Sequence, residues 1–422
     1  MKVYKKGFSM AIKTKFKKLD KNLIFYMVSN IGSKFLIGLT GILLARYLTK
    51  YDFGNYTTVT TFLGLVFIFL SPGFIEYGLF EFSKNNNKIE KLTGELIYLF
   101  LALCIIGFVV TIIIYPYLYP YITYSLVILI FLKLFLDWFM NLITTILQSK
   151  NLFNNVSLLQ ILRSLTLVLP LILLYHYGYG LNVFLINVIV LALIMVVLIT
   201  LKEVIGKNIN LKNVKKGFSF NRSVIPSSKY FFISALMSYI YMQSDILMLS
   251  VMTTPLEVGR YAVVTTIITG AYLIPASLYN YYLPKMTQNF CERDFKKLLK
   301  IKFQFRNMIL ILMTSISLLL FGFPKTVLKM IYGLKYIDSY IILMILSGVL
   351  FLHSICYLTG AILTASGSQK LRSNIQIFVA VLNILLNIFA IPKYGAEGAA
   401  ITTFITEILL YGLYYYFSKK RI

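Results

Sequence analysis

Seven ionisable side chains lie inside long apolar stretches of this sequence, where they can hold charged ligands or carry ions. A charged group near the centre of a membrane-spanning helix costs roughly 2.5–3.5 kcal/mol, so such groups normally face a cavity or an oppositely charged partner. The cations among them can bind an anionic group, and the carboxylates can carry a proton or a sodium ion or accept hydrogen bonds from hydroxyl groups. The seven are Lys34, Glu76, Lys133, Asp137, Arg163, Asp245 and Glu407.

The spacing of these residues indicates which charges pair with each other. Lys133 and Asp137 are four residues apart, so they share a helix face and we expect them to neutralise each other. We expect Arg163 either to form a fixed pair with Asp137 or Glu407 on another helix, or to bind substrate. Lys34 has no local counter-ion. It is therefore the leading candidate for binding an anionic group as a point charge.

Residues that would build a metal centre or a hydrolytic site are scarce. The chain has three widely spaced cysteines and two histidines, without the spacing of a disulfide framework or a metal site. No paired carboxylates, nucleophile–base pair or glycine-rich phosphate loop stands out. We therefore expect no metal, no cofactor and no enzymatic activity.

Composition requires that the elements carrying these residues cross a membrane. Hydrophobic residues make up 59% of the 422-residue chain and charged residues 13%, against about 25% charged in soluble domains. Apolar runs of about 20 residues recur along the chain, and each can cross a hydrocarbon core about 30 Å thick as a helix that satisfies its own backbone. The twelve predicted spans are 22–47, 56–80, 94–115, 121–147, 153–175, 181–201, 228–252, 260–283, 305–323, 339–364, 373–391 and 396–417.

The basic residues predict the orientation of these spans. Of the 41 Lys and Arg residues, 31 lie in one set of connections and seven in the opposite set. The positive-inside rule makes the first set, with both termini, cytoplasmic. The net charge of +26 is thereby assigned to the membrane surface, and we expect membrane lipids and no nucleic acid as partners. Residues 1–21 are predicted to form a basic amphipathic helix on the inner leaflet, or else a solvated tail.

The longest cytoplasmic connection, 202–227, divides the chain into two halves of six spans, 22–201 and 228–417, before a short tail at 418–422. A faint repeat supports this division, because Asp52-Phe-Gly-Asn-Tyr56 matches Glu257-Val-Gly-Arg-Tyr261 at an offset of 205. Chance similarity in an apolar chain is the alternative. Each copy is predicted in a tight external turn, with its glycine at positive φ and its tyrosine at the membrane interface.

Prolines and glycines predict where the spans bend. Pro72-Gly73 should interrupt the second span, which leaves Glu76 to reach toward the cytoplasm or to act in a gate. Pro275 lies within the eighth span and should kink it, because proline removes a backbone hydrogen bond. A bent eighth span suits a gate.

Two arginines occupy comparable external ends of the spans. Arg46 lies at the outer end of the first span and Arg260 at the outer end of the seventh. They are candidates for receiving a charged substrate outside the membrane, or else have a solvated role at the interface.

Three stretches resemble the Wzx-type polysaccharide flippases, whose superfamily also contains multidrug antiporters and lipid II flippases. Leu44-Ala-Arg-Tyr-Leu48 running into Phe53-Gly-Asn-Tyr56 resembles the end of that family's first span. Asp245-Ile-Leu-Met-Leu249, followed by Glu257-Val-Gly259, resembles its seventh span and the turn after it. The third and most specific stretch comprises Leu363-Thr-Ala-Ser-Gly367, Leu382-Asn383, Asn387, Ile391-Pro392 and Tyr394-Gly-Ala-Glu-Gly-Ala-Ala400.

The resemblance implies an all-α integral membrane fold, with twelve transmembrane helices in two six-helix bundles around a central cavity. The implied function is translocation of undecaprenyl-diphosphate oligosaccharide across a bacterial cytoplasmic membrane by alternating access. Lys34 and the other cations would contact the diphosphate, and Asp245, Asp137 or Glu76 would couple proton or sodium movement or contact sugars. A polysaccharide polymerase is a possible partner.

Two rival functions stay open at the level of sequence. A cation-coupled multidrug antiporter of the same superfamily is disfavoured because cations such as Lys34, Lys133 and Arg163 repel a cationic drug. A membrane polysaccharide polymerase or ligase generally needs a sizeable external loop. The external connections predicted here are only about 4–16 residues long, between spans of the length a bilayer requires.

Overall fold

The computed structural model describes residues 21–84, 89–176 and 211–421. Within these ranges the chain forms α-helices joined by short turns, with one 3₁₀ helix at Leu334–Ser339. The α-helices are α1 Lys21–Tyr47, α2 Lys50–Leu70, α3 Phe74–Lys84, α4 Ile89–Leu118, α5 Tyr124–Ser149, α6 Phe153–His176, α7 Leu211–Gly217, α8 Val224–Met252, α9 Pro255–Ala271, α10 Leu273–Cys291, α11 Phe295–Gly322, α12 Pro324–Tyr332, α13 Tyr340–Ala365 and α14 Gln369–Lys419.

The described helices are those of a multi-pass membrane protein. Eight helical segments among the described residues are long and apolar enough to cross a membrane. The total of twelve spans stays a prediction. The predicted sixth span, 181–201, lies outside the described residues, as does all but the last residue of the predicted amphipathic segment 1–21.

The two copies of the sequence repeat begin helices, and the prediction that they form turns is wrong. Helix α2 begins at Lys50 because the Thr49 hydroxyl accepts a hydrogen bond from the backbone N–H of Asp52 at 3.1 Å, which caps the helix. Helix α9 begins at Pro255, a favoured first residue because proline has no N–H to leave unsatisfied. Gly54 and Gly259 both lie inside these helices, and neither has a positive φ.

The predicted break in the second span is present between α2 and α3. Gly73 there has a φ of 69°, a conformation that favours glycine. A Cβ at this position would lie only 2.6 Å from the backbone nitrogen of Phe232. The indole N–H of Trp138 donates to the Ser71 hydroxyl at 2.7 Å, beside the same break. Glycine is therefore required at residue 73 for two independent reasons.

The eighth predicted span also contains a break, and another break separates the eleventh span from the twelfth. The eighth span is interrupted at Tyr272, between α9 and α10. Pro275 follows the break and has no N–H to donate to the carbonyl of Ala271. The eleventh and twelfth spans form one continuous element, α14, in which Gly395 has non-helical angles of φ 54° and ψ −134°. Gly395 therefore marks the kink that separates those two predicted spans.

The chain divides into two compact units, each described here by itself. Unit 1 comprises Met1–Thr40, Val66–Tyr115 and Thr123–Ser234, and unit 2 comprises Gly41–Leu65, Pro116–Ile122 and Ala235–Ile422. The core of unit 1 includes the ring of Phe100 stacked on Trp138, with centroids 3.6 Å apart. A core cluster of unit 2 joins α13 to α14 through buried Cys356, Leu363, Ile375, Val379, Leu410 and Tyr414.

The described part of the predicted linker 202–227 is packed against unit 1. Helix α7 approaches the start of α4 so closely that a Cβ on Gly94 would lie 2.2 Å from the carbonyl oxygen of Val214. The amide of Asn213 donates to the Glu90 carboxylate at 2.6 Å. The predicted domain boundaries stay a prediction, although this part of the connection is ordered by its own contacts.

We predict that Gly73→Ala lowers the free energy of unfolding by about 1–3 kcal/mol, because it adds strain at positive φ to a steric clash. The chain has a single tryptophan, Trp138, so thermal unfolding can be followed by its fluorescence next to the break. Gly38→Ala is the matched control, because no atom lies within 4 Å of its added Cβ. Equal melting temperatures for the two variants would contradict the prediction.

Candidate functional site

Asp245, on α8 in unit 2, accepts three hydrogen bonds from neutral groups. Its Oδ2 accepts from the Tyr261 hydroxyl at 2.6 Å and from the Thr403 hydroxyl at 2.8 Å. Its Oδ1 accepts from the Asn387 amide at 2.7 Å. No described Lys, Arg or His forms an ion pair with this carboxylate. Asp245 is therefore a carboxyl group on an apolar helix that is held by neutral donors, without a cationic partner in the described part of the chain.

Amide and hydroxyl groups of α14 surround Asp245 as a second layer. Asn383 and Asn387 are four residues apart and so lie on one face of the helix, where the Asn387 amide donates to Asn383 Oδ1 at 3.1 Å. The Thr402 hydroxyl donates to Asn387 Oδ1. These side chains, together with Thr403, place several oxygen atoms around one carboxylate. Hard monovalent and divalent cations favour oxygen ligands of this kind.

A second carboxylate of unit 2, Glu407 on α14, has a different set of partners. Its Oε1 accepts from the Tyr241 hydroxyl at 3.0 Å and lies 3.0 Å from His353 Nδ1. Only 6% of Glu407 is exposed. Its Oε2 has no hydrogen-bond partner within the described residues.

Both carboxylates line one cavity of about 330 Å³ in unit 2. Four tyrosines and one histidine supply much of the remaining wall: Tyr241, Tyr261, Tyr272, Tyr357 and His353. The cavity thus combines acidic groups with aromatic faces. Such a surface can hold an inorganic or organic cation, or accept hydrogen bonds from a sugar stacked on a ring.

The two copies of the repeat cross each other within unit 2. A Cβ on Gly54 would lie 1.8 Å from the carbonyl oxygen of Pro255, and a Cβ on Gly259 would lie 2.6 Å from the carbonyl oxygen of Lys50. Lys50 and Pro255 are themselves 205 residues apart, the offset of the repeat. The first residue of each helix therefore packs on the glycine of the other, and we call this contact the glycine crossing.

A cluster of charged residues lies beside the glycine crossing. The Lys50 ammonium lies 2.7 Å from the Asp338 carboxylate. The Arg260 guanidinium lies 2.8 Å from Glu257 and 3.2 Å from Glu397. Glu257 also accepts a hydrogen bond from the backbone N–H of Ala396 at 2.8 Å, next to the kink in α14. We call the five charged residues the crossing cluster: Lys50, Glu257, Arg260, Asp338 and Glu397.

Both arginines that are predicted to be external form contacts within unit 2. Arg260 belongs to the crossing cluster, and Arg46 donates to the carbonyl oxygens of Met330, at 2.5 Å, and Ile331. The tyrosine of the second repeat copy is buried, and its predicted position at the membrane interface stays a prediction. Tyr261 is 2% exposed and donates to Asp245, because α9 begins early enough to carry it inward.

The other predicted site residues lie in unit 1. Arg163 on α6 lies 2.9 Å from Asp137 on α5 and donates to Asn141 Oδ1 at 2.9 Å. This is one of the two arrangements proposed for Arg163, a pair between helices. Lys133 lies one turn before Asp137 and is half-buried.

Lys34 and Glu76 are also in unit 1, and both are exposed. Lys34 lies on α1 and Glu76 on α3. Neither forms an ion pair with any described residue. Exposed, unneutralised charges in these segments are available to a ligand or to water.

The pair of His353 with Glu407 was not predicted from the sequence. Both residues lie in apolar runs, and Glu407 is recognisable as a charge at membrane depth. They are 54 residues apart on different helices, so no local spacing joins them. A polar residue in each of two predicted spans, the tenth and the twelfth, is the only sequence signal for such a pair.

Comparison with known proteins places this fold and these motifs in one family. Residues 19–288, more than half of the chain, match the family described as polysaccharide biosynthesis protein. The chain belongs to this family. The matched residues contain the first two of the three motif stretches, and the resemblance to polysaccharide flippases is confirmed at the level of family.

Two relatives of this family member are known by name. It is 23% identical over 209 residues to Agl15 of Haloferax volcanii, a probable low-salt glycan biosynthesis flippase, across 49% of this chain and 44% of the relative. It is 30% identical over 166 residues to the capsular polysaccharide biosynthesis protein CapF of Staphylococcus aureus, across 38% of this chain and 41% of the relative. The matched part of the chain thus spans less than half the length of each of these two relatives.

Solved structures of two transporters share the fold of this family member. An inward-facing MATE-family multidrug resistance transporter of the MOP superfamily has a TM-score of 0.73 at 16% identity, covering 92% of this chain and 94% of its own. The lipid II flippase MurJ has a TM-score of 0.71 at 16% identity, and the match covers 94% of this chain and 87% of MurJ. At such low identity these likenesses show a common fold.

We predict that Gly54→Ala forces α2 and α9 apart, because its new methyl group would overlap the carbonyl oxygen of Pro255. Overpacking of this kind costs about 1–3 kcal/mol. Hydrogen exchange measured by mass spectrometry should become faster at residues 50–56 and 255–261, and Gly259→Ala should have the same effect. Gly270→Ala, on α9 with no atom within 4 Å of its Cβ, is the control. Unchanged exchange in Gly54→Ala would disprove the close contact.

Proposed function

We propose that this protein is a flippase that moves undecaprenyl-diphosphate-linked oligosaccharide from the cytoplasmic to the outer leaflet of a bacterial cytoplasmic membrane. The observation that carries the proposal is the family match over residues 19–288. The names of the two relatives add support, since one is a probable glycan flippase and the other a capsular polysaccharide biosynthesis protein. The fold shared with a lipid II flippase is consistent with a polyprenyl-linked substrate.

Alternating access is the proposed mechanism, and no covalent chemistry is required. The substrate diphosphate would bind Lys34, whose ammonium is exposed and lacks an ion-pair partner among the described residues. The sugars would remain in water and the polyprenyl chain in lipid. Release on the external side would require the glycine crossing and the crossing cluster to separate, because they close the helix ends predicted to be external.

The proposed topology follows from the charge distribution. With 31 of 41 Lys and Arg residues in one set of connections, both termini are assigned to the cytoplasm. A polysaccharide polymerase that consumes the translocated unit on the outer side is a proposed partner.

Ion coupling is proposed to take place at Asp245. This carboxylate has three neutral hydrogen-bond donors and no cationic partner in the described residues. A half-turn of the Asn387 amide would present its oxygen instead of its nitrogen, which converts a donor into a ligand for a cation. Proton or sodium binding at this position would change the charge of the cavity during each transport cycle.

The acidic, aromatic cavity of unit 2 favours a second candidate function, a cation-coupled multidrug antiporter. Two carboxylates and four tyrosines around about 330 Å³ suit an organic cation. Pairing with Asp137 also removes Arg163 from the charges that would repel such a drug. An efflux assay with cationic dyes separates the two functions, because a flippase for an anionic lipid should not confer dye resistance.

We predict that deletion of the gene causes the complete lipid-linked repeat unit to accumulate on the cytoplasmic leaflet, with loss of surface polysaccharide. Wild-type protein should restore export, and Lys34→Ala should not, because it removes the proposed diphosphate contact. The measurement is extraction and quantification of undecaprenyl-diphosphate oligosaccharide from membranes. Lys34→Arg, which keeps the charge, should restore export in part.

The outcomes of this experiment separate the site from the function. Rescue by Lys34→Ala would remove Lys34 from the mechanism and leave the flippase proposal standing. A deletion strain with normal surface glycan and no accumulated intermediate would refute the flippase proposal, and dye efflux would then be measured.

We predict that Asp245→Asn abolishes saturable binding of radioactive sodium to the purified protein, because the variant loses the anionic ligand. Glu292→Gln, which removes an exposed carboxylate in unit 2, should bind sodium as the wild type does. Both proteins should melt within a few degrees of the wild type, since asparagine retains an oxygen acceptor for Tyr261 and Thr403. Sodium binding retained in Asp245→Asn would rule out this carboxylate as the coupling site.

A further inference from the structure

Glu407 and His353 form an acid–base pair within the cavity of unit 2, apart from the side chains that bind Asp245. Glu407 Oε1 lies 3.0 Å from His353 Nδ1. A neutral imidazole that donates from Nδ1 keeps the lone pair of Nε2 free to accept a proton. When Nε2 binds a proton, a positively charged imidazolium lies beside a negatively charged carboxylate, and the carboxylate stabilises the imidazolium. The pair can therefore hold one proton without leaving an uncompensated charge.

Among the described ionisable groups that face the pair, none is a second histidine, the side chain whose ordinary pKa lies nearest neutral pH. Tyrosine hydroxyls and cysteine thiols stay protonated there, and arginine stays charged. The ionisable groups that face the pair come from α8, the break at Tyr272, α13 and α14, and they are Tyr241, Tyr272, Cys356, Tyr357, Arg372 and Tyr414. The Arg372 guanidinium is itself held by hydrogen bonds to Tyr279 and Thr364, at 2.9 Å and 3.0 Å. Asp245, across the cavity, is the remaining acid.

The two carboxylate sites are joined through α14. Thr403 donates to Asp245 and lies one helical turn before Glu407 on the same helix. Both carboxylates line the same cavity of about 330 Å³. Charges in such a confined, poorly screened space interact strongly, so a cation at Asp245 disfavours a second positive charge on His353.

We propose that His353 and Glu407 form a proton-binding site separate from the cation site at Asp245, and that a cation arriving at Asp245 expels the proton held by the pair. The proton leaves Nε2 of His353 for water in the cavity, and the imidazole returns to its neutral form. This inference rests on the proposed ion coupling at Asp245. It adds that the protein exchanges one cation for another through two different carboxylates.

Proton release on cation addition tests the inference directly. Purified full-length protein in weakly buffered detergent solution is mixed with sodium chloride, and a pH indicator dye reports released protons, with choline chloride as the control salt. The wild type should release about one proton per chain, and the release should disappear at a starting pH high enough to leave the imidazole neutral before sodium is added. Glu407→Gln and His353→Gln should bind radioactive sodium but release no proton. Asp245→Asn should neither bind sodium nor release a proton.

Each other outcome overturns the inference in a recognisable way. Undiminished proton release from Glu407→Gln would show that Asp245 itself exchanges the proton. Loss of sodium binding in a Glu407→Gln protein that melts like the wild type would make Glu407 part of the cation site. A wild type that binds sodium without releasing protons would refute the exchange, and one that binds no sodium would exclude sodium as the ion at Asp245 and refute the exchange with it. Export of the lipid-linked oligosaccharide is measured separately, so the flippase proposal can survive any of these results.

Discussion

The cost of placing a charge in hydrocarbon governs the contacts of the polar side chains in this protein. Two of the ionisable groups in apolar helices are satisfied by a residue on another helix: Arg163 pairs with Asp137 in unit 1, and Glu407 contacts His353 in unit 2. Asp245 is stabilised differently, by three neutral donors that would accommodate either a proton or a metal cation. Lys34 has neither an ion-pair partner nor a set of hydrogen-bond partners among the described residues. This is the physical reason for expecting it to bind a ligand.

The internal repeat has a structural meaning that its sequence position did not reveal. Glycine at residues 54 and 259 suggested two tight turns with positive φ. In the structure the same glycines are needed because they have no side chain. Each allows the backbone of the other helix to approach to a distance that a Cβ atom would block. Contact between a motif and its copy through their equivalent residues is the arrangement that an internal duplication would produce.

Sequence reasoning predicted the features that depend on local chemistry and missed those that depend on distant partners. Apolar run length predicted the membrane helices, and Pro72-Gly73 predicted the break near Gly73, because both follow from the backbone of a single segment. Helices α2 and α9 begin at Lys50 and Pro255, several residues before the predicted spans, since apolar content locates the membrane core and a cap or a proline fixes where a helix begins. The contact of His353 with Glu407 joins residues 54 apart, and hydropathy carries no information about which polar groups face each other.

Helix α14 links the site at Asp245 to the glycine crossing. Around its kink, the backbone N–H of Ala396 donates to Glu257 and the side chain of Glu397 lies 3.2 Å from Arg260. On either side of the kink, Asn387 and Thr403 of the same helix donate to Asp245. Tyr261, two residues after the crossing glycine of α9, donates to Asp245 as well. The contact of α2 with α9 is therefore made on one of the two helices that hold the carboxylate, and α9 is in turn bonded to the other, α14. A change of charge at Asp245 and a change of contact at the crossing consequently act on the same helices, which is the physical requirement for coupling an ion to the opening of a transport pathway.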